Sequence, residues 1–450
     1  MVSSAKSFYA ALICVCLLAA CTPAPDGPKV GTARLANGLE IIVIPDFRAD
    51  VVTHMLWYRV GSADEPKGKS GIAHFFEHLM FRGTENIPPG EFSKTVARLG
   101  GQDNAFTSYD YTAYFQRIAK DKLAQMMAME AERMQKLIIK DDIVAIERDV
   151  ILEERSMRVD GRPASLLSEK MRHRPHKGTA YEVPVIGWRA EIEKLNAADA
   201  TAFYRRYYAP DNAVLVVAGA VTLDDVLALA QTHYGPLQAS GRPRAPRQVA
   251  TDLTVAQYEQ AEVLADARVR QPSWQRLYRL PQYQPAHKRQ FAAADVLAEI
   301  LGGGLTARLY QELVVTQKLA VNIGAYSDSS RLDNGEFMIY AVPAPQVDFA
   351  RLAAAIDDEI AKLQNAIPDA DALRRAKRQL VSELVFARDS QQSMANIFGS
   401  AAMIGLSPED VLAWVDEIDA VRAEDVQRAA QNFLVPAHAV TGHLKMGDTP

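Results

Sequence analysis

A stretch in the middle of the chain recurs near its end. Residues 192–214, IEKLNAADATAFYRRYYAPDNAV, align without a gap onto residues 418–440, IDAVRAEDVQRAAQNFLVPAHAV, at a shift of 226 residues. A period of this length is too long for a solenoid repeat and indicates two copies of a domain. With 450 residues and 48% hydrophobic content, the chain has enough material for more than one core.

Each copy is predicted to mix strands with helices. The first begins with a hairpin, ARLANGLEIIVIP, which turns at Asn37-Gly38 and is followed by the strand VVTHMLWYRVG and by long helices. Strands and helices that do not alternate strictly favour an α+β fold. We therefore expect two homologous α/β-sandwich domains in tandem, each with an antiparallel-rich sheet, at residues 30–240 and 263–446. The Pro/Arg/Gln-rich residues 241–262 are the expected linker.

The first 21 residues are typical of a targeting segment. The apolar run from Phe8 to Ala20 is too short to span a bilayer and has the length of a signal-peptide core. It ends in LAAC, which resembles a bacterial lipoprotein box and predicts a lipid on Cys21; an ordinary signal peptide cut near the same point is the alternative. Residues 22–29 are the expected tether. We therefore expect an exported protein in the periplasm, attached to the outer membrane only by its lipid.

The segment HFFEH places two imidazoles and a carboxylate on one helical face. The surrounding pattern predicts a helix from an N-cap at Ser70 to a stop at Gly83, so that His74, Glu77 and His78 lie side by side. Neutral imidazole is the commonest zinc ligand, and a catalytic zinc ion has three protein ligands. The segment thus supplies two ligands and requires a third from elsewhere. The alternative is an ordinary helix with two surface histidines.

A second predicted helix, residues 141–158, offers the missing ligand. Glu147 and Glu154 are seven residues apart and share a face. Carboxylates that face an apolar layer are costly unless they are paired or bind a cation, although a solvated acidic edge remains the alternative for Glu154. All three cysteines of the chain precede residue 22, so a metal site in the rest of the chain must use nitrogen and oxygen ligands.

These residues resemble a known family. HFFEH, followed 76 residues after its second histidine by Glu154 within ERDVILEE, resembles the inverted HxxEH zinc motif of the M16 metallopeptidases, which include pitrilysin, insulysin and the mitochondrial processing peptidases. The resemblance implies that His74, His78 and Glu154 bind one zinc ion per chain and that Glu77 is the general base. It implies that Glu147 contributes to catalysis by orienting a ligand histidine.

Further stretches extend the resemblance: FRGTEN at 81–86, LGGQDNAFTSYDYTAYF at 99–115 and AERM at 131–134. In the family, the strand that corresponds to Asn104, Ala105 and Phe106 lies at the edge of the site and receives the substrate as an added strand, whose main-chain pairing suits any extended peptide. The alternative is an alternating strand with aromatic core residues, and one strand can serve both purposes.

The second copy has no HxxEH and cannot carry a duplicate metal site. Many family members place an arginine and, seven residues later, a tyrosine in the segment that resembles residues 302–321, where this chain has Val314 and Val321. The resemblance therefore implies an M16-like partner chain that supplies the Arg/Tyr pair and closes a clamshell-type chamber. A homodimer, or a weak enzyme without the pair, is the alternative.

The expected function is a zinc endopeptidase that hydrolyses short or unfolded peptides in the cell envelope. A non-catalytic peptide-binding scaffold and a processing peptidase for one dedicated precursor are the alternatives. The formal net charge of −5 gives no electrostatic signature of a nucleic-acid partner. His173 and His176, in the basic stretch RHRPHK, are expected to be solvent-exposed.

Overall fold

The computed structural model describes residues 29–242, 244–245, 247 and 249–447. The predicted signal peptide, Cys21 and residues 22–28 of the tether lie outside the described residues. The strands are β1 Gly31–Arg34, β2 Glu40–Pro45, β3 Val51–Tyr58, β4 Gln102–Thr107, β5 Thr112–Ala119, β6 Ala213–Gly219, β7 Glu262–Asp266, β8 Ser273–Gln282, β9 Ala320–Asp328, β10 Asn334–Pro343 and β11 Ala439–Met446.

The α-helices are α1 Ile72–Leu79, α2 Glu91–Arg98, α3 Leu123–Lys136, α4 Asp141–Arg155, α5 Pro163–His173, α6 Arg189–Ile192, α7 Ala197–Tyr207, α8 Leu223–His233, α9 Lys288–Gly302, α10 Phe349–Asn365, α11 Ala370–Ala387, α12 Gln391–Met403, α13 Pro408–Leu412, α14 Trp414–Asp419 and α15 Ala423–Phe433. Two π-helical segments lie at Ser156–Asp160, directly after α4, and at Tyr310–Thr316, between α9 and β9. Within the described residues, every helix is too short or too polar to cross a bilayer.

The strands form two sheets with related topology. The first has the order β1-β2-β6-β3-β5-β4, and the second has the order β7-β11-β8-β10-β9. One pair in each sheet is parallel, β2 with β6 and β7 with β11, and the other pairs are antiparallel. The predicted α+β fold with two sheet-and-helix layers is confirmed.

The repeat seen in the sequence is a repeat of structure. Helices α7 and α15 start at Ala197 and Ala423 and have the same length of 11 residues. The strands that follow them, β6 and β11, start at Ala213 and Ala439. Both pairs of positions differ by 226, the shift at which the two sequences align, so the two halves share this helix–strand unit.

Each half also covers one face of the other half's sheet. Helix α12, from the second half, packs on the first sheet, where Phe398 joins Trp57 in one buried cluster. A methyl group on Gly399 would lie 2.1 Å from the Trp57 ring, so the helix approaches the sheet as closely as glycine permits. Helix α5, from the first half, packs in the same way on the second sheet, where Met171 contacts the cluster around Leu277.

Buried charges join the halves as well. The Glu336 carboxylate on β10 is 1% exposed and lies 3.3 Å from each of three groups: the Arg172 and Arg331 guanidinium nitrogens and Nε2 of His176. The expectation that His176 is solvent-exposed is wrong, because this histidine is buried against Glu336 from the opposite half. His173 is half-buried.

The expected linker is attached to the first half along part of its length. Arg244 and Arg247 lie 2.7 and 2.8 Å from the Asp64 carboxylate, and Arg247 also pairs with Asp110. Both arginine side chains are largely buried, so ion pairs attach this part of the linker to the first half.

Candidate metal centre

The helix that carries HFFEH starts later than the sequence pattern predicts. It begins at Ile72, and its N-cap is Gly71 with φ of +84°, not Ser70. A Cβ atom on Gly71 would lie 2.6 Å from the Ile186 carbonyl oxygen, so glycine is required both by the backbone angle and by the close approach. The Ser70 hydroxyl instead accepts a hydrogen bond from the Trp188 N–H at 2.9 Å.

A half-buried carboxylate fixes the start of α1. Glu65 accepts hydrogen bonds from the backbone N–H groups of Gly71 and Ala73, each at 2.9 Å. These donors have no partner within the helix, and a carboxylate also complements the positive end of the helix dipole. Glu65 therefore fixes the first turn of the helix, which also contains His74.

Three metal-ligand atoms converge at the C-terminal end of α4. Nε2 of His74 and Nε2 of His78 lie 3.7 and 3.4 Å from Oε2 of Glu154, and one ligand atom from each residue falls within 4.8 Å of the others. Tetrahedral ligands at zinc distances are separated by roughly 3.3 to 3.5 Å. The two-nitrogen, one-oxygen set therefore fits a zinc ion and leaves a fourth position free. No other group of this kind occurs in the part of the chain that the structure describes.

His78 is held from behind by a carboxylate. Its Nδ1 lies 2.8 Å from Oε1 of Glu147, whose other oxygen accepts from Arg82. Burial opposes a charge on His78, but the hydrogen bond to Glu147 and the nearby Glu154 carboxylate outweigh it and raise the pKa of His78 to about 9. Burial would also raise the pKa of Glu147, yet its bonds with His78 and Arg82 lower it. Glu147 is 1% exposed and does not line the cleft, so it contacts the histidine and not a substrate.

His74 lies in a different environment. Burial, assisted by repulsion from His78, lowers the pKa of His74 to about 4, which keeps the imidazole neutral. Its Nδ1 is buried and has no hydrogen-bond partner among the described residues. A neutral ring with a free Nε2 lone pair is the form that coordinates a metal ion.

The two oxygens of Glu154 have different partners. Oε2 faces the histidines, whereas Oε1 lies 2.7 Å from the Arg158 guanidinium. The contact with His78 lowers the pKa of Glu154, and the charges of His74 and Arg158 add to this effect, whereas burial opposes it. Arg158 belongs to the π-helical segment Ser156–Asp160, which continues α4 where a regular helix to residue 158 was predicted. Sequence reasoning missed Arg158, for which the i,i+4 spacing from Glu154 is the available signal.

Glu77 lines the same cleft, and one of its carboxylate oxygens accepts a hydrogen bond. The Thr107 hydroxyl donates to Oε2 of Glu77 at 2.6 Å. Burial raises the pKa of Glu77, and the Thr107 bond and the charge of His78 oppose the shift only in part. Sequence reasoning missed Thr107, which lies on β4 one residue after Phe106.

The cleft around these residues has a volume of about 1050 Å³. Asn104, Ala105 and Phe106 of β4 line it together with the histidines and Glu154. β4 pairs with β5 on one side only and is the edge strand of the first sheet. The structure therefore brings all of the predicted ligands, the predicted base and the predicted substrate strand to one cleft.

Val314 and Val321 lie in the second half, away from the walls of this cleft. Val314 is in the π-helical segment Tyr310–Thr316 and packs against the second core. Val321 is on β9 and is 48% exposed.

This chain is similar to known peptidases. Residues 41–187 match the family described as Insulinase (Peptidase family M16), and residues 194–380 match the Peptidase M16 inactive domain. The zinc protease PqqE of Helicobacter pylori is 30% identical over 424 residues, which cover 93% of each chain. The chain belongs to peptidase family M16. An uncharacterized zinc protease of Streptomyces coelicolor is 29% identical over 438 residues, 92% of this chain and 91% of that protein.

Solved structures share the M16 architecture. A protease from Helicobacter pylori superimposes with a TM-score of 0.85 at 28% identity, over 93% of this chain and 99% of that one. The periplasmic protease PqqL from Escherichia coli has the same fold, with a TM-score of 0.77 at 22% identity, over 94% of this chain and 48% of the PqqL chain. The match to the M16 domain described as inactive runs from residue 194, in the first half, to residue 380, in the second half, and does not include HxxEH.

Proposed function

We propose that this M16 chain is a zinc endopeptidase in which His74, His78 and Glu154 bind one zinc ion and Glu77 is the general base. The observation that supports this most strongly is the convergence of two Nε2 atoms and one carboxylate oxygen beside Glu77 in one cleft. A bound zinc ion supplies Lewis-acid chemistry, which acidifies water and polarises a peptide carbonyl.

The side chains of the chain itself move the proton. Glu77 takes a proton from the attacking water and passes it to the nitrogen of the leaving amine. Thr107 holds Oε2 of Glu77, which orients the carboxylate, and the raised pKa of Glu77 favours the protonated form that the second transfer needs. Glu147 positions His78, and Arg158 holds the outer oxygen of Glu154 so that the inner one faces the histidines.

The substrate is an extended peptide. The unpaired edge of β4 at Asn104, Ala105 and Phe106 presents backbone donors and acceptors beside the cleft, and main-chain pairing there depends little on sequence. Most segments of a folded protein already use their main-chain groups in internal hydrogen bonds and cannot pair with this edge. We therefore propose that the enzyme acts on short or unfolded peptides.

We further propose that residues 30–240 form the catalytic domain and 263–446 the domain without metal, and that the chain is the HxxEH subunit of a two-chain peptidase. Val314 and Val321 cannot donate a hydrogen bond to a substrate, which supports a partner that supplies the Arg/Tyr pair. The LAAC segment at Cys21 supports export to the periplasm with a lipid anchor.

The experiment is cleavage of a quenched fluorescent peptide library by residues 22–450, alone and mixed with an M16-like chain that carries the Arg/Tyr pair, before and after chelation. Chelator-sensitive cleavage that requires the partner is the expected result. Efficient cleavage by the single chain would contradict the two-chain arrangement but not the peptidase. Absence of cleavage in both conditions, with zinc bound, would contradict the peptidase itself. His74→Ala should lose both zinc and cleavage.

A further inference from the structure

A second cavity lies in the second half of the molecule, with one wall residue from the first half, and is separate from the catalytic cleft. It has a volume of about 560 Å³ and shares no wall residue with the cleft. Helices α9, α11, α12 and α14 form most of its wall, and Tyr111, in the turn between β4 and β5, closes it from the first half. The volume is within the usual range of about 300–1,000 Å³ for small-molecule sites.

The wall is apolar with a few charged groups, and most of these groups are already paired. Glu417 lies 3.0 Å from both Lys288 and Arg289. Asp328 pairs with Arg331. Asp410 accepts from the backbone N–H and the hydroxyl of the residue that caps its own helix, Ser407, at 3.0 and 2.9 Å. These carboxylates have structural partners within the protein.

Two carboxylates of the wall, Asp295 and Glu383, have no cationic partner among the described residues. Glu383 is exposed and solvated. Asp295 is on α9, where its neighbours Ala294 and Val296 are fully buried. Burial raises the pKa of Asp295 to about 7, although the Ser327 and Trp414 side chains oppose the shift. An acid without a counter-ion in an apolar wall is costly, and a cation from outside would relieve this cost.

Aromatic rings surround the same space. Tyr111, Tyr283 and Trp414 all line the cavity, together with Phe291. The faces of aromatic rings attract organic cations, and this attraction adds to an ion pair. We propose that this cavity binds an organic ammonium group on an apolar body, with Asp295 as its counter-ion. The proposal does not depend on the peptidase mechanism, because no residue of the zinc centre takes part.

The test measures binding of charged and neutral probes by isothermal titration calorimetry. The charged probes are 2-phenylethylamine and the dipeptide Phe-Leu-amide, and their neutral counterparts are 2-phenylethanol and N-acetyl-Phe-Leu-amide. The first pair represents a free amine and the second represents a peptide N-terminus. We expect at least one charged probe to bind about ten- to hundredfold more tightly than its counterpart, since a hydrogen bond to a charged group has about this effect.

Asp295→Asn should remove this preference for the charged probe while it preserves the shape of the wall. Glu383→Gln, which removes the exposed charge of the same wall, is the matched control and should change the affinity less than about twofold. Equal affinity of charged and neutral probes, unchanged affinity in Asp295→Asn, or no saturable binding of either charged probe at millimolar concentration would each overturn the proposal.

A second measurement separates a ligand site from a structural acid. If the role of Asp295 is to bind a cation, the free protein should be as stable with Asn at this position as with Asp, because the variant removes an acid that has no cationic partner in an apolar wall. A large fall in the thermal midpoint of Asp295→Asn without ligand would show that the carboxylate stabilises the fold itself, which overturns the proposal.

Discussion

The contact between Glu147 and His78 predicts that zinc binds more weakly when Glu147 is replaced by glutamine. Glu147→Gln keeps the shape of the side chain but replaces the carboxylate that accepts from Nδ1 of His78 at 2.8 Å. A hydrogen bond to a charged group contributes roughly 1.5–3 kcal/mol, and each 1.4 kcal/mol is tenfold in a binding constant. We therefore expect zinc to bind about 10- to 100-fold more weakly, the range typical of carboxylates behind ligand histidines. The Arg82 side chain, 40% exposed, finds water in place of its lost partner and adds little.

Zinc affinity is measured by competition with a chromophoric chelator, on the metal-free protein reloaded at one ion per chain. Glu153→Gln is the matched control, because it makes the same chemical change on the same helix at an exposed position beside Glu154. Thermal unfolding of the metal-free variants shows whether the helix is intact. Zinc affinity of Glu147→Gln within twofold of the unmodified protein would refute the assigned role of Glu147.

Three further outcomes follow from the contacts. Arg158→Ala should weaken zinc binding only about two- to fivefold in the same assay, because the Arg158 side chain is 69% exposed. Gly399→Ala should lower the free energy of unfolding in urea by about 1–3 kcal/mol through its clash with Trp57, whereas Ser400→Ala should change it little. Glu336→Gln should destabilise by about 3–5 kcal/mol near neutral pH. Cationic neighbours outweigh burial and lower the pKa of Glu336, so its stabilisation is present above the ordinary carboxyl range and is lost as pH falls below about 4. The difference in thermal midpoint between the unmodified protein and Glu336→Gln should therefore become smaller at acid pH. A difference that does not change with pH would contradict this.

Local patterns predicted the elements well where one residue pair determines the geometry. The Asn37-Gly38 hairpin joins β1 and β2, and the strand predicted to follow it is β3. Helix spacing alone brought His74, Glu77 and His78 to one face, since i and i+4 positions are neighbours on any helix.

Contacts between distant segments could not be read from local patterns. The basic stretch around His176 has the composition of a surface loop, but Glu336, 160 residues away, gives it a buried counter-charge. Helix α12 packs on the sheet of the other half, but its own sequence does not indicate which sheet it contacts. The late start of α1 depends likewise on the approach of Gly187 to Gly71. These positions are determined by tertiary packing, which local propensity does not encode.

The proposed function depends on proton transfer by Glu77 beside the proposed zinc ligands His74, His78 and Glu154. The most direct test measures zinc content and peptide cleavage on the same samples of the unmodified protein and of Glu77→Gln, each with the partner that supports cleavage. We expect one zinc ion per chain in both proteins and a loss of cleavage of about a thousandfold or more in the variant, at the upper part of the range for a general base. A variant that retains zinc and cleaves at a normal rate would contradict the account.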